Sequence, residues 1–375
     1  MSRRLLYLVN EAGYFVSHRL PLAKAALAAG WEVHVATAAD PALDRVRQAG
    51  IAAHSLPISR SGLRPDRELA TLLAARRLMR DLRPGLVHCI ALKAVVLGGL
   101  AARLAGAPAV VHSIAGLGHV FTESGPKARL LQGAFRALLP LAAGRNGRFI
   151  LQNHADFARL EAIPALAGRN RLIAGSGVDL DEYRAAPEPA GPVTVLMASR
   201  LIRKKGVAEF VEAARRLRAA GVAARFLLAG DADPGNPATV TREELEAWNA
   251  EGAIEWLGKR GDMPALLAAS HIACLPSYYG EGVPKSLIEA AAAARPAVTT
   301  DLPGCADIIR DGENGLQVPP RDVEALTAAL RRLIEDAKLR RRLGARGREI
   351  VAAEFSLDRV NIETLAVYEE LAPAL

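Results

Sequence analysis

Short apolar runs of strand length alternate with helix-period segments along nearly the whole chain. Leu5 to Val9 leads into a loop, a helical run near Leu20 to Ala29 stopped by Gly30, and a second strand-like run from Glu32 to Thr37. A helix from about Arg67 to Arg80 precedes the strand Leu86 to Ile90, Val95 to Leu104 precedes Ala109 to Ser113, and Lys127 to Leu141 precedes Arg148 to Gln152. Parallel strands need a crossover of roughly a dozen residues or more, usually a helix. The alternation therefore predicts an α/β fold with a doubly wound parallel sheet.

A composition break interrupts it. Ala185 to Pro192, Ala-Ala-Pro-Glu-Pro-Ala-Gly-Pro, carries too much proline for either element and reads as an interdomain linker. The pattern then restarts, with strands at Val193 to Ala198, Ala224 to Gly230, Ile272 to Leu275 and Ala297 to Thr300. Helices fall at Val207 to Ala219, Leu287 to Ala294 and Asp322 to Glu335, and an amphipathic one closes the chain near Leu357 to Leu371. A length of 375 residues suits two domains. The expected division is 1–184, a linker at 185–192, a second domain at 193–354, and a terminal helix within 355–375.

Charge is uneven. Residues 1–184 carry a formal +11 and residues 185–375 carry −3, which gives the net +8. A basic first half suits anionic lipid or a phosphorylated substrate. Nucleic acid is disfavoured, since no recognition motif or aromatic-basic interleaving accompanies the charge. Cys89, Cys274 and Cys305 lack metal-ligand spacing and read as buried thiols in a reducing cytoplasm. No run reaches the ~18 apolar residues of a spanning helix, and a cytoplasmic chain is expected.

Two constellations carry chemistry. Leu275 to Glu289 joins a strand to an alanine-rich helix and sets Glu281 and Glu289 eight residues apart, with Gly282, Pro284 and Lys285 between them. Unpaired amides at a helix start favour anions, and the carboxylates would accept hydrogen bonds from sugar hydroxyls. The second, Ala198 to Gly206, crowds Arg200, Arg203, Lys204 and Lys205 onto a strand-to-helix turn where Gly206 permits a tight bend. It is either a solvated basic turn or a diphosphate cradle, and the first constellation tips it toward the cradle. Both carboxylates sit beside an anion-binding turn, so they do not read as a glycosidase pair flanking a scissile bond.

Together these motifs resemble the retaining glycosyltransferases of family 4. The resemblance spans essentially the whole chain and includes Ser199-Arg200-Leu201, Pro303-Gly304 and Asp311 to Leu316. Ser17-His18-Arg19-Leu20-Pro21, Gly116-Leu117-Gly118, Val120-Phe121 and Gly175 to Asp179 are similar to the bacterial subgroup that extends lipid-linked oligosaccharides, as are Asn236-Pro237-Ala238 and Trp256-Leu257-Gly258. That subgroup includes N-acetylgalactosaminyl transferases acting on undecaprenyl diphosphate.

The resemblance implies a GT-B fold, two facing Rossmann-like domains with a cleft between them, and a last helix that crosses back to the first domain. It implies a nucleotide-sugar donor, UDP-linked, and a lipid-linked saccharide acceptor met at the cytoplasmic face of the membrane. No metal or other cofactor is required. Arg200 and Lys205 would neutralise the donor diphosphate, Glu281 would lie near the donor sugar, and Glu289 would hold the ribose. Ser199 and Gly282, Val283, Pro284 and Lys285 join the donor-binding set. So does Gly13, the one glycine of the first loop, Asn10 to Ser17, where many relatives carry a pair. His112, placed at the carboxyl end of its strand, is either near the donor sugar or a core histidine. His18, Arg19 and Gly116 are assigned to the acceptor side. Retention would proceed on one face of the sugar without a protein nucleophile.

Other features have plainer readings. Asp231-Ala-Asp233 matches a bare metal-binding pattern but reads as a loop, and Ala294, where glycine is common, reads as a packing change. His88 and His119 are weaker site candidates, and His34, His54, His154 and His271 read as structural. Lys127 to Arg148 mixes leucines with basic residues and is either an ordinary packed helix or a segment that docks on an anionic leaflet. Two rivals share the architecture: a UDP-sugar epimerase, and a non-catalytic nucleotide-sugar-binding protein.

Overall fold

The computed structural model describes residues 3–59, 64–117, 125–233 and 235–373. It divides into two compact units, one formed by Met1–Gly177 with Leu357–Leu375 and the other by Val178–Ser356.

The first unit runs β1 (Arg4–Val9), α1 (Ala12–His18), α2 (Leu20–Ala28), β2 (Glu32–Thr37), α3 (Leu43–Gln48), β3 (Ala52–Ser55), α4 (Pro65–Leu82) and β4 (Leu86–Ile90). It continues through α5 (Leu92–Ala105), β5 (Val110–Ile114), α6 (Pro126–Ala143), β6 (Gly147–Leu151), α7 (His154–Glu161) and β7 (Asn170–Leu172). Its seven strands pair in parallel in the order β3-β2-β1-β4-β5-β6-β7. β1 and β4 are buried almost throughout, as strands covered by helices on both faces must be.

The second unit runs β8 (Val193–Ala198), a 3₁₀ turn (Arg203–Lys205), α8 (Val207–Ala219), β9 (Ala224–Ala229), α9 (Arg242–Ala250), β10 (Glu255–Trp256) and α10 (Met263–Ala268). β11 (Ile272–Leu275), α11 (Lys285–Ala292), β12 (Ala297–Thr300), α12 (Cys305–Ile308), β13 (Gly315–Val318), α13 (Val323–Glu335) and α14 (Ala337–Glu354) complete it. The sheet order is β10-β9-β8-β11-β12-β13, again parallel. The chain then returns to the first unit as α15 (Leu357–Leu371).

Helices cover the first sheet in two layers. Phe15, Leu22, Val46, Val360 and Tyr368, from α1, α2, α3 and α15, pack on one face with Leu5, Tyr7 and Val35. Met79, Ala101 and Leu139, from α4, α5 and α6, pack on the other with Leu6, Leu8 and Phe149. A buried polar chain fastens α15. His88 bridges the Tyr368 hydroxyl at 2.5 Å and the Ser113 hydroxyl at 2.6 Å, and the Tyr368 hydroxyl donates to that of Tyr7 at 3.1 Å.

Three expectations are corrected. The division between units falls after Gly177, so the proline-rich segment expected as a linker at 185–192 belongs to the second unit. Its carbonyls and acid are held there: Arg295 donates to the Pro187 carbonyl at 3.1 Å, and Arg340 pairs with Glu188 at 2.8 Å. Proline suits such an extended strap as well as it suits a free linker. Secondly, most of the expected loop at Asn10 to Ser17 is the helix α1, which breaks at Arg19 and resumes at Leu20 with Pro21 in its first turn. Thirdly, Ala294 has φ +57. Glycine would be natural there because of backbone conformation, since a left-handed alanine costs roughly 1–2 kcal/mol.

Candidate active site

In open parallel sheets, ligands bind outside the carboxyl ends of the strands where the strand order reverses. In the second unit that point lies between β8 and β11. β8 delivers Ser199 to Gly206, and β11 delivers the loop from Pro276 to Pro284. The two constellations singled out in the sequence thus leave adjacent strands.

Gly206 fixes how closely they meet. Its φ is +80, and a Cβ there would sit 2.1 Å from the Pro276 carbonyl oxygen. Only glycine fits both the backbone and the contact. The Tyr278 amide then donates to the Lys204 carbonyl at 2.9 Å, and the Lys205 ammonium bonds Oε1 of Glu281. The same carboxylate oxygen accepts from the Ser277 hydroxyl at 2.8 Å, and the Tyr279 ring centroid lies 5.8 Å from the ammonium. Both side chains of the ion pair are about 10% exposed, at 11% for Lys205 and 10% for Glu281. Such a pair needs close hydrogen-bonded geometry to offset its desolvation.

The four cations of the turn are divided. Arg203 forms two bonds to Glu244 on α9, at 3.0 and 2.9 Å. Arg200 is half exposed, with Asp233 at 3.5 Å, and the Ser199 hydroxyl turns back to the Arg200 carbonyl. Asp231 instead faces Arg242 at 3.7 Å, so the two acids of the Asp-x-Asp pattern meet different arginines.

Pro284 precedes α11 and provides no side-chain cap for it, and a helix start of this kind favours an anion. Gly282 and Val283 are buried beneath. A Cβ on Gly304 would lie 1.6 Å from the Gly282 carbonyl oxygen, which explains why Pro303-Gly304 accompanies the loop. Thr300 supports it further by donating to the Ser277 carbonyl at 2.6 Å.

Glu289 lies one turn into α11 from Lys285, whose ammonium is 3.3 Å away. Its Oε1 accepts from the Tyr183 hydroxyl at 2.7 Å. Burial pushes the Glu289 carboxyl up from its ordinary range, against the opposing pull of Lys285 and Tyr183. Burial and the Glu289 charge push the Tyr183 phenol up as well. Sequence reasoning missed Tyr183 and Ser277. Tyr183 stands 106 positions before its partner, and no local spacing links them.

The first-unit candidates are placed differently. Gly13 lies in the first turn of α1 rather than in a loop, with open space around it. His18 ends α1, stacked on Tyr14 with centroids 4.3 Å apart and bonded to the Ser17 hydroxyl at 2.6 Å. Arg19, between α1 and α2, is only 3% exposed, and its Nε and Nη2 lack partners. Gly116 follows β5, while Gly118, His119, Val120 and Phe121 fall outside the described residues.

His112 is corrected. β5 runs on to Ile114, so His112 is in mid-strand, fully buried and stacked on Phe149 at 4.8 Å. Burial pushes its pKa down to about 3. A neutral ring sealed in the core has no route to a sugar. His271 is also structural: its Nδ1 accepts from the Thr194 amide at 3.1 Å, and its Nε2 faces the Pro189 carbonyl at 3.1 Å.

Comparison with known proteins fits this geometry. The family model described as "Glycosyl transferase 4-like" matches residues 4–153, and "Glycosyl transferases group 1" matches residues 180–350. The chain is 28% identical to the N,N'-diacetylbacillosaminyl-diphospho-undecaprenol alpha-1,3-N-acetylgalactosaminyltransferase of Campylobacter jejuni, over 88% of this chain and 90% of that protein. It is 24% identical to the UDP-Gal:alpha-D-GlcNAc-diphosphoundecaprenol alpha-1,3-galactosyltransferase of Escherichia coli, over 73% of this chain and 72% of that one. Its fold matches sucrose-phosphate synthase from Thermosynechococcus elongatus with a TM-score of 0.81, at 21% identity and covering 98% of both chains.

Proposed function

The chain belongs to the glycosyltransferases, with a 4-like domain followed by a group 1 domain in a GT-B fold, and we propose that it moves a hexose or N-acetylhexosamine from a UDP-linked donor to a lipid-linked saccharide with retention. The observation that carries this reading is the meeting of Lys205, Glu281 and Glu289 around the uncapped start of α11. The acceptor class is suggested by the undecaprenyl diphosphates in the two relatives' names, and the donor nucleotide by the UDP-galactose in one of them.

In this reading the donor diphosphate lies against the first amides of α11, with Arg200 and Lys205 supplying positive charge. Lys205 moves from Glu281 to the diphosphate, which frees Glu281 to accept a hydrogen bond from a sugar hydroxyl. Glu289, held by Tyr183 and Lys285, accepts from the ribose hydroxyls. As the bond from anomeric carbon to phosphate oxygen breaks, its electron pair goes to UDP, where Arg200 and Lys205 stabilise the growing charge. The acceptor oxygen bonds the anomeric carbon on the same face and passes its proton to the departing phosphate oxygen. The enzyme would work at the cytoplasmic face of the membrane, where the acceptor headgroup is presented.

Calorimetry across nucleotide sugars, followed by transfer to polyprenyl-diphosphate saccharides with the product anomer read by NMR, tests each part. Micromolar binding of a UDP-sugar and an α-linked product from an α-linked donor are expected. An inverted product removes retention, conversion of the UDP-sugar without acceptor points to an epimerase, and binding without turnover on any acceptor overturns the reading.

A further inference from the structure

One concavity of the first unit lies away from the site just described. It has a volume of about 580 Å³ and sits between the C-terminal ends of α5 and α6, with Gly99, Pro108 and Ala142 in its wall and Arg103, Arg145 and Asn146 on it. No acid lines it, and neither α5 nor α6 carries one. Elsewhere arginines meet carboxylates, as Arg215 meets Glu251, Arg310 meets Glu354 and Arg340 meets Glu188. Here Arg103 reaches only the Leu141 carbonyl, at 3.4 Å, and Arg145 has no carboxylate partner among the described residues.

The surroundings are apolar. Leu104 and Leu141, the neighbours of Arg103 and Ala142, are 57% and 47% exposed. Arg76 of α4 donates to the Leu104 carbonyl at 3.2 Å, which ties a third guanidinium to the same rim. Of the six strongly exposed large apolar residues among the described residues, five lie on α4, α5 and α6. Those three helices hold nine lysines and arginines against three acids, whereas α1, α2, α3 and α15 on the opposite face hold four against five. Basic charge and exposed leucines thus share one layer.

We propose that the ends of α5 and α6 form a docking site for an anionic phospholipid bilayer. A headgroup phosphodiester would occupy the concavity between Arg103 and Arg145, and Leu104 and Leu141 would enter the interface. The helix C-termini bring about half a negative charge each to this region, which the guanidinium charges exceed. Arginine matches phosphate oxygens with paired N–H groups, and juxtamembrane cations contribute about a fivefold gain each on anionic surfaces. This extends the docking expected of residues 127–148 to α5 and its concavity, and it rests on the lipid-linked acceptor reading for its purpose.

Co-sedimentation of the full chain with phosphatidylcholine vesicles, with and without phosphatidylglycerol, tests it. Binding is expected on the anionic vesicles alone and to weaken about 30-fold in Arg103→Gln/Arg145→Gln. Arg103→Lys/Arg145→Lys should recover most of it, and Leu104→Ser/Leu141→Ser should weaken it separately. Thermal unfolding of these surface variants should match the parent. Equal binding to neutral vesicles, no vesicle binding, or an unaffected glutamine variant would overturn the docking site. Transfer to a water-soluble, short-chain acceptor is expected to be unchanged in the glutamine variant. If that transfer is absent in the parent while vesicle binding behaves as described, the catalytic reading fails and the docking site stands.

Discussion

Each sheet reverses its strand order once, but the turns beside the two reversals are built differently. In the second unit, β8 and β11 send out turns locked together by Gly206 against Pro276, with an ammonium and a carboxylate between them. In the first unit, β1 passes through two residues into α1, and the one arginine of that segment, Arg19, turns inward toward Tyr7, His88 and Tyr368. Topology marks the same place twice. What the turn carries decides whether that place has a charge to present.

If the comparison holds, Lys205→Ala should have the largest effect, a loss on the order of 10²–10³ in kcat, with a lowered thermal midpoint because Glu281 is left without its ammonium. Removing His18 at the end of α1 should cost much less. Comparable losses from both would end the distinction.

A second test uses the same substitution beside both reversals. Gly206→Ala forces a methyl group into the Pro276 carbonyl and is expected to destabilise by about 2–4 kcal/mol. Gly13→Ala fills open space in a helix and should stabilise by about 0.5–1 kcal/mol. Denaturant midpoints read both, and matching signs would contradict the close approach of the two second-unit turns.

The smallest effect concerns pH. Burial raises the Glu289 pKa, so this residue favours the folded state most below the ordinary carboxyl range, and that contribution is lost as pH rises through the raised value. The Tm of the parent relative to Glu289→Gln should therefore be highest near about pH 4 and decline toward about pH 7. A difference independent of pH would mean that Glu289 is not buried as described.

Much of this was legible in the sequence because it is local. Strand-helix alternation has a period, and Glu281, Glu289, Arg200 and Lys205 lie on turns that follow recognisable strands. What stayed hidden depends on distant partners or exact backbone angles. Tyr183 could not be linked to Glu289 before the chain was folded. The expected strand Ala109 to Ser113 puts His112 near its carboxyl end, whereas β5 spans Val110–Ile114 and centres on it. The prolines at 187, 189 and 192 signalled extended chain correctly, but not that Arg295, Arg340 and His271 would pin it down.

The return of α15 has a consequence for synthesis. Domains usually fold in the order they leave the ribosome, at about 5–20 residues per second. Here Tyr368, which closes the hydrogen-bonded chain through His88 and Tyr7, is made after every residue of the second unit. The first unit to begin is thus the last to be finished. For roughly ten seconds or more, a nascent chain carries a sheet whose Leu5, Tyr7 and Val35 face lacks one of its covering helices, a window in which chaperones would find their target.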